Sequence, residues 1–341
     1  MRPMEMAAVA VVGHHLCSGL ADVTDDLGAL ESTGFWAVAI DFHGKAVCAR
    51  FDSVRPAHPW RGRPWKGLPA DSWRSSLDHA SFTSGVSAIR EMIAAGDVYQ
   101  VNLTRRLSAP LIDPDTDIAA LGAALAEGNP APYAAVLRLP DHGVHIASAS
   151  PERFLERNGR WVESSPIKGT AADPSGLTPK DQAENLMIVD LVRNDLGRVC
   201  DYGTVSVPAL FTLEHHPGLV HLVSTVRGRL DPSCGWPELI EATFPPGSVT
   251  GAPKLAALDA IDALEPQPRG VYCGAVGWVD TDRQRGDLNV AIRTLWMEDE
   301  HLHLGTGGGI TYDSDPEDEW QETALKAKRL LAVATGEYIK L

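Results

Sequence analysis

Short runs in which apolar and polar residues alternate, separated by turns, are the feature that most limits what this chain can fold into. Such runs occupy residues 219–226, 272–279 and 288–295. Residues 99–104 alternate in the same way and predict a half-buried strand. Because few of the runs are arranged as strand–helix–strand units, they favour a mainly antiparallel α+β fold.

Helices are predicted where apolar residues recur at helical spacing between residues that favour helix ends. The spacing in residues 86–93 predicts one helix that ends at Gly96. Two more are marked at both ends, from Thr178 to Gly197 and from Asp315 to Gly336, each with proline at its first position.

The composition limits the classes of partner. The 341 residues carry a net charge of −15, which argues against nucleic acid, because a polyanion is bound by a stripe of Lys and Arg that this sequence lacks. An acidic chain that binds an anion has to concentrate its few cations, or a metal ion, at the binding site.

The five cysteines are scattered and none forms a CxxC pair, so they indicate neither a zinc site nor a disulfide framework. Free thiols in a chain of this length fit a reducing cytoplasm. The apolar stretch at residues 7–12 is too short for a signal sequence or a membrane span. We therefore expect a soluble, cytoplasmic protein with no membrane partner.

Four prolines are mixed with Arg, Gly and Trp in residues 53–72, a composition that resists regular structure. The segment is either an irregular surface loop or a link between an N-terminal element and the main body. We treat residues 1–82, which carry this excursion, as part of the same globule as residues 83–341.

Two predicted helices each carry a pair of carboxylates at i, i+3, which places both groups on one helix face. The pairs are Asp181 with Glu184 and Glu319 with Glu322. Facing each other across a cleft, such pairs suit Mg²⁺, which prefers oxygen ligands. The alternative is that they stabilise helix N-termini on solvated faces.

Two glycine-rich segments are candidates for anion binding by backbone N–H groups. Residues 244–254 combine Gly, Ser and Thr before a helix that carries apolar residues up to Leu264. Residues 305–309 permit a ligand to approach the backbone closely. The spacing matches neither a Walker A loop nor a dinucleotide fingerprint, and either segment alone is as well explained as a turn.

Three side chains are candidates for chemistry. Lys168 is a candidate nucleophile if its pKa is lowered, although a lysine beside glycine is usually a surface cation. Glu152 is a candidate general acid, or else a surface carboxylate in an ion pair. His221 is by default a structural histidine.

Nine segments of the chain resemble, in one uninterrupted order, the chorismate-utilising enzymes. They are residues 96–104, 148–154, 166–170, 183–195, 221–225, 250–254, 269–274, 289–294 and 307–322. The resemblance covers residues 83–335, whereas residues 1–82 resemble the family only loosely. It implies two packed, mainly antiparallel β-sheets with helices on the outside, and a chorismate-binding catalytic region at residues 83–341.

The resemblance also assigns roles to the candidate site residues. It makes Glu184 and Glu322 the Mg²⁺ ligands, with Asp181 and Glu319 as outer carboxylates that act through water. Around the ring carboxylate of chorismate, it places Gly169, Thr170, His221 and Thr250. At the enolpyruvyl carboxylate, it places Tyr272, Arg293 and Gly309. A dianionic substrate would then reach an acidic protein through one Mg²⁺, one arginine and backbone amides.

Two positions distinguish members of the family. Enzymes that add water to C2 of chorismate carry a lysine where this chain has Gln100, and anthranilate synthases usually carry alanine where it has Lys168. The sequence of residues 166–170 resembles that of aminodeoxychorismate synthase component I. This implies that chorismate and ammonia give 4-amino-4-deoxychorismate, for para-aminobenzoate and folate, through a covalent adduct on Lys168, with Glu152 protonating the departing hydroxyl.

The source of ammonia is expected to be a separate glutamine amidotransferase subunit, because no cysteine stands in a Gly-x-Cys-x-Gly elbow. No lyase domain is visible, so the product should keep its pyruvyl group. Two alternatives stay open, namely anthranilate synthase component I and, more remotely, a non-catalytic chorismate or tryptophan sensor. One departure from many relatives is Pro246, where they have glycine.

Overall fold

Eighteen β-strands and six α-helices are found in the part of the chain that the computed structural model describes, namely residues 7–59, 62–113, 116–171, 173–216 and 219–337. The side chains of Thr170, His215, His216 and Leu219 also lie outside this description. The helices are α1 (His79–Ala95), α2 (Ile118–Gly128), α3 (Pro179–Gly197), α4 (Trp236–Thr243), α5 (Lys254–Leu264) and α6 (Pro316–Thr335). The strands are β1 (Val9–Val12), β2 (His15–Thr24), β3 (Phe35–Ile40), β4 (Ala46–Pro56), β5 (Arg74–Ser75), β6 (Gln100–Pro110), β7 (Tyr133–Leu139), β8 (Val144–Ser150), β9 (Arg153–Asn158), β10 (Trp161–Ser165), β11 (Ile167–Ala171), β12 (Ser206–His216), β13 (Leu219–Arg229), β14 (Gly251–Ala252), β15 (Ala275–Asp280), β16 (Arg285–Val290), β17 (Thr294–Glu298) and β18 (His301–Ile310).

The strands form one open antiparallel ribbon. Its order is β12, β13, β10 with β11, β9, β16, β15, β3, β4, β2, β1, β7, β8, β17, β18 and β6, and the short strands β5 and β14 pair with β6. Within the described ranges no pairing joins β12 to β6, so the ribbon does not close into a barrel. The predicted α+β class with mainly antiparallel strands is confirmed.

The two halves of the ribbon pack against each other. Asn289 on β16 donates hydrogen bonds to the carbonyl of Tyr133 on β7 (2.8 Å) and to the hydroxyl of Ser148 on β8 (3.2 Å). One hydrophobic cluster contains buried residues of both halves, such as Val276 on β15 and Leu137 on β7. The prediction of two packed layers with helices outside is therefore confirmed.

The helix ends lie close to those predicted. Gly96 and Gly336 cap α1 and α6, and Asp315 accepts hydrogen bonds at the start of α6. Thr178 and Asp181 form the predicted capping box at the start of α3. Helix α3 packs on β13 and helix α6 on β18, which places the two acidic helices on opposite ends of the ribbon.

Three predicted strands differ from those observed. The predicted strand at residues 99–104 begins only at Gln100, since Tyr99 precedes it and is exposed. Residues 100–104 are buried on both faces rather than one, because α1 and α5 pack on β6. The run at residues 272–279 forms a strand only from Ala275, since Cys273 lies in a turn with positive φ. The run at residues 288–295 is broken after Val290, because Arg293 also has positive φ.

The proline-rich segment is irregular, as predicted, in residues 57–59 and 62–69. It packs on the end of α6, where the indole N–H of Trp65 and the backbone N–H of Leu68 both donate to the carbonyl of Ala334 at 2.9 Å. None of the helices described is both long enough and apolar enough to cross a bilayer.

Candidate functional site

Lys168 lies where the two ends of the ribbon approach each other. It lies on β11, beside one end, and its Nζ lies 3.2 Å from the position that a β-carbon would occupy at Gly309 on β18. The same hypothetical β-carbon would overlap the Nε2 of Gln100 on β6. Glycine at position 309 therefore leaves the space in which both side chains meet. Burial lowers the pKa of the Lys168 ammonium, Lys326 lowers it further, and Glu184 opposes this shift.

Glu152 lies between β8 and β9 and is only 4% exposed. Its carboxyl group lies near the hydroxyl of Ser248 and the backbone N–H of Ile167, and both donors favour its ionised form. Burial raises the pKa of Glu152 to about 7, although Ser248 and the cations of Lys168 and Arg293 favour the ionised form. A buried carboxyl that titrates near neutrality is suited to donate and recover a proton.

Arg293 follows the break between β16 and β17, and its φ of 50° is unusual for a residue with a side chain. Its carbonyl accepts a hydrogen bond from Ala149 N–H at 3.0 Å. Burial lowers the pKa of the guanidinium, and its charged neighbours are Arg329 and Glu152. In the described part of the chain, no hydrogen bond or ion pair occupies the guanidinium. A partly buried guanidinium in this state is suited to bind a ligand carboxylate.

Glu184 on α3 and Glu322 on α6 face the same space as Lys168, because both carboxylates act on the pKa of its ammonium. Each is paired with a lysine of its own helix: Lys180 lies 3.8 Å from Glu184, and Lys326 lies 2.7 Å from Glu322. Burial raises the pKa of Glu184, which the neighbouring Glu322 also raises. The two helices therefore bring both predicted metal ligands into the neighbourhood of Lys168.

No three His, Cys, Asp or Glu side chains within the described residues are grouped so as to enclose a metal ion. Mg²⁺ does not need such a group, because it is usually held by one or two protein carboxylates and takes its other oxygens from water and substrate. Glu184 and Glu322 fit this kind of site. Their paired lysines supply the positive charge that balances them here.

The two outer carboxylates are held by their own chain. Asp181 accepts hydrogen bonds from the N–H and hydroxyl of Thr178, both at 2.7 Å. Its β-carbon lies 2.8 Å from the position that a side chain would occupy at Gly169, whose φ is +84°. Glu319 accepts a hydrogen bond from the Ser314 hydroxyl at 2.6 Å, and burial raises its pKa. Their predicted role as outer carboxylates that act through water stays a prediction.

Of the residues predicted to surround the ring carboxylate, two are neighbours in the structure. The backbone of Thr170 pairs with His221 of β13, and His221 is buried. The side chain of Thr170 lies outside the described residues. Thr250 is fully buried: its hydroxyl donates to the carbonyl of Pro246 at 3.1 Å, and its carbonyl accepts from Asn102 N–H at 2.7 Å.

Tyr272 lies apart from Gly309. Its ring packs against Gly305, where any β-carbon would overlap it, and its neighbours include Arg269 and Glu265. Gly305 and Gly309 point to the same face of β18, four residues apart, which corresponds to about 13 Å along a strand. The predicted contact of Tyr272 with the enolpyruvyl group stays a prediction.

Two residues of the site were not predicted as such. Ser248 contacts Glu152, and the only sequence signal is its place in the glycine-rich segment at residues 244–254. Gln100 is 1% exposed, and its Oε1 has no hydrogen-bond partner in the described structure. The sequence marks Gln100 only as a position that differs between members of a family.

The sequence profile of chorismate binding enzymes matches residues 65–332. The chain belongs to the chorismate-binding enzyme family. This confirms the resemblance found in its nine segments.

Relatives of this chorismate-binding enzyme carry two different names. It is 44% identical to an aminodeoxychorismate synthase of Streptomyces pristinaespiralis, covering 82% of this chain and 40% of that protein. It is 42% identical to anthranilate synthase component 1 of Streptomyces coelicolor, covering 79% and 55%. It is 38% identical to aminodeoxychorismate synthase component 1 of Klebsiella aerogenes, covering 87% and 68%. The chain thus spans between 40% and 68% of the length of these relatives.

Solved structures of the family share the fold. The chain is 25% identical to anthranilate synthase component I from Streptococcus pneumoniae, with a TM-score of 0.73 over 97% of this chain and 82% of that one. It is also 25% identical to a structure described as a 2,3-dihydroxybenzoate-specific isochorismate synthase from Bacillus anthracis, with a TM-score of 0.79 over 97% and 96%. Overall likeness therefore does not separate the members.

Proposed function

We propose that this chorismate-binding enzyme acts as component I of an aminodeoxychorismate synthase, converting chorismate and ammonia into 4-amino-4-deoxychorismate. The observation that carries the proposal is the position of Lys168. Its amine, with a pKa lowered by burial, lies among Gly309, Gln100 and the charge of Glu152. A lysine so placed is a candidate nucleophile toward a bound ring. Sequence identity does not decide the matter, because relatives with both names are similarly close.

Two positive charges would bind the two carboxylates of chorismate, namely the guanidinium of Arg293 and a Mg²⁺ ion. We propose that the Arg293 guanidinium holds one carboxylate of chorismate by paired hydrogen bonds. Glu184 and Glu322 would hold a Mg²⁺ ion, with Asp181 and Glu319 behind them. Bound there, Mg²⁺ would withdraw charge from the ring through its carboxylate.

The first displacement uses Lys168 and Glu152. The neutral amine of Lys168 forms a bond to C2, both conjugated double bonds of the ring shift by one position, and the bond from C4 to its hydroxyl breaks. Glu152 gives its proton to that hydroxyl, which leaves as water. The acid needs a pKa high enough to hold a proton near neutrality, and its burial supplies this.

The second displacement reverses the shift. Ammonia forms a bond to C4, both ring double bonds move back, and the bond between C2 and Lys168 breaks, so that the amine leaves neutral. The new ammonium at C4 returns a proton to the Glu152 carboxylate. The sum is chorismate plus ammonia giving aminodeoxychorismate plus water. We propose that a separate glutamine amidotransferase subunit supplies the ammonia.

The second candidate is anthranilate synthase component I, which the Streptomyces coelicolor relative favours. Product analysis distinguishes the two. The purified chain is incubated with chorismate, Mg²⁺ and an ammonium salt, and the products are separated by chromatography and identified by mass. We expect 4-amino-4-deoxychorismate that keeps its pyruvyl group. Anthranilate as the main product would replace the proposal with the second candidate, and isochorismate would overturn both.

A further inference from the structure

The turn at residues 247–250 links three parts of the candidate site. Its Ser248 lies beside Glu152, lines the same small cavity and favours the ionised form of that carboxyl. The Thr250 that follows is fully buried, and its carbonyl accepts from the N–H of Asn102 at 2.7 Å. Beyond it, Gly251 and Ala252 pair with Val101 and Gln100 of β6. The position of this turn therefore fixes both the acid and one wall of the site.

The hydrogen bonds inside the turn are weak. Val249 N–H reaches the Pro246 carbonyl at 3.2 Å, and Thr250 N–H reaches the Gly247 carbonyl at 3.4 Å. Bonds of this length hold a backbone less firmly than those near 2.9 Å. The turn needs support from outside itself.

Arg269 supplies that support from the segment after α5. The residue is 3% exposed, and its guanidinium donates to the carbonyl of Val249 in the turn (2.8 Å) and to that of Asn102 on β6 (2.7 Å). One rigid, planar group thus spans the two backbone segments that Thr250 and Asn102 also join.

Glu265 orients the guanidinium. Its two carboxylate oxygens accept from Nε and from an Nη of Arg269, at 2.8 and 2.7 Å. One of these oxygens also accepts from the backbone N–H of Thr104 on β6 at 2.8 Å. On its other side, the guanidinium lies 4.4 Å from the ring centre of Phe42. The edge of the guanidinium is therefore held by hydrogen bonds and one of its faces by an aromatic ring.

We infer that Arg269, oriented by Glu265, is a positioning residue that holds the turn at residues 247–250 against β6, and thereby places Ser248 on Glu152 and Thr250 in the site wall. Arg269 itself touches none of the reacting groups. Its consequence for turnover rests on the proposed function, whereas its effect on the turn does not.

The test uses Arg269→Lys in the full chain. Lysine keeps the charge beside Glu265 but lacks the planar fork that reaches both carbonyls. The matched control is Arg157→Lys. Arg157 is also buried, pairs with Glu31 at 2.6 Å and donates to the carbonyl of Gly159 at 3.0 Å, away from the turn.

Two quantities are measured on each variant: deuterium uptake by a peptide covering residues 246–252, and kcat and KM for chorismate with ammonium. For Arg269→Lys we expect faster uptake in that peptide but unchanged uptake across α5. We also expect kcat/KM to fall by about 100-fold, with part of the loss in kcat, as small displacements of catalytic groups produce. Arg157→Lys should change neither quantity, even where it lowers Tm equally.

A double variant, Glu265→Met with Arg269→Met, covers the case in which the lysine variant folds poorly. It removes both buried charges together, so neither is left without its partner. The same uptake and the same loss are expected. Unchanged uptake at residues 246–252 in a folded variant overturns the inference, as does a loss of kcat/KM no larger than that of Arg157→Lys. If the wild type leaves chorismate unchanged, the proposed function fails, and the uptake measurement still decides the role of Arg269.

Discussion

The Nζ of Lys168 lies 3.2 Å from the position that a β-carbon would take at Gly309, although the two residues belong to strands near opposite ends of the ribbon. The absence of a side chain at position 309 is what permits this approach. Gln100 occupies the same space from β6.

Gly309→Ala should therefore lower the activity of the protein more than its stability. The new methyl group would push away the ends of Gln100 and Lys168, and such overpacking costs about 1–3 kcal/mol of stability. We expect Tm to fall slightly and kcat with chorismate to fall more than tenfold, about the scale of a misplaced catalytic group. Gly197→Ala is the control, because no atom lies within 4 Å of the added carbon. Equal activity losses in both variants would contradict the prediction.

Lys168→Ala should abolish the reaction while leaving substrate binding. Removing a nucleophile lowers turnover by about 1,000-fold or more, whereas the predicted ligands of the substrate and of Mg²⁺ do not include this residue. Lys168→Arg should do no better, because a guanidinium stays protonated. Intact-protein mass spectrometry with chorismate and no ammonia should show an adduct on the wild type alone. An alanine variant with wild-type turnover would favour direct attack by ammonia.

The raised pKa of Glu152 predicts how the stability of the folded protein depends on pH. Its pKa is raised from 4.5 to about 7, so the folded protein binds this proton more tightly than the unfolded chain. The stabilisation is complete below pH 4.5 and is lost as the pH rises through about 7. Tm of the wild type should fall across that range, and Tm of Glu152→Gln should fall less, since glutamine does not titrate there. Parallel Tm curves would contradict the raised pKa.

The pH profile of turnover should be bell-shaped. Turnover needs Glu152 protonated, so it should fall as the pH rises above about 7. It also needs Lys168 neutral, so it should fall on the acid side, because burial lowers the pKa of this amine without removing its titration. The measurement is kcat against pH at saturating chorismate. A profile that rises steadily into alkaline pH would exclude Glu152 as the acid.

Activity should require Mg²⁺ and be lost in EDTA. Glu184→Gln and Glu322→Gln should each weaken Mg²⁺ binding, measured by calorimetry, because each removes a charged oxygen ligand. Tm should change little, since glutamine keeps the size of each side chain and each variant loses one ion pair with a lysine of the same helix. At the partly buried Glu184, the change also removes a charge that burial disfavours. Full turnover in a metal-free sample would contradict the metal site.

The local features of this site could be read from the sequence because they depend on short spacing. The i, i+3 carboxylates and the capping box at Thr178 follow from helical geometry alone. The support for the turn at residues 247–250 could not be read, since Arg269 joins segments that are distant in the chain. The break before Arg293 was missed because apolar alternation continues across it while the backbone turns.

The N-terminal strands, whose sequence resembles the family least, occupy the middle of the ribbon. Strand β1 pairs with β7 on one side and β2 on the other, and β3 pairs with β15. The register between Val9 and Arg138 therefore sets how the strand that carries Lys168 meets the strand that carries Gly309. A slip of one residue there would turn every side chain of β1 to the opposite face. The N-terminal strands therefore act on the candidate site through their pairing register, although none of the site residues named above belongs to them.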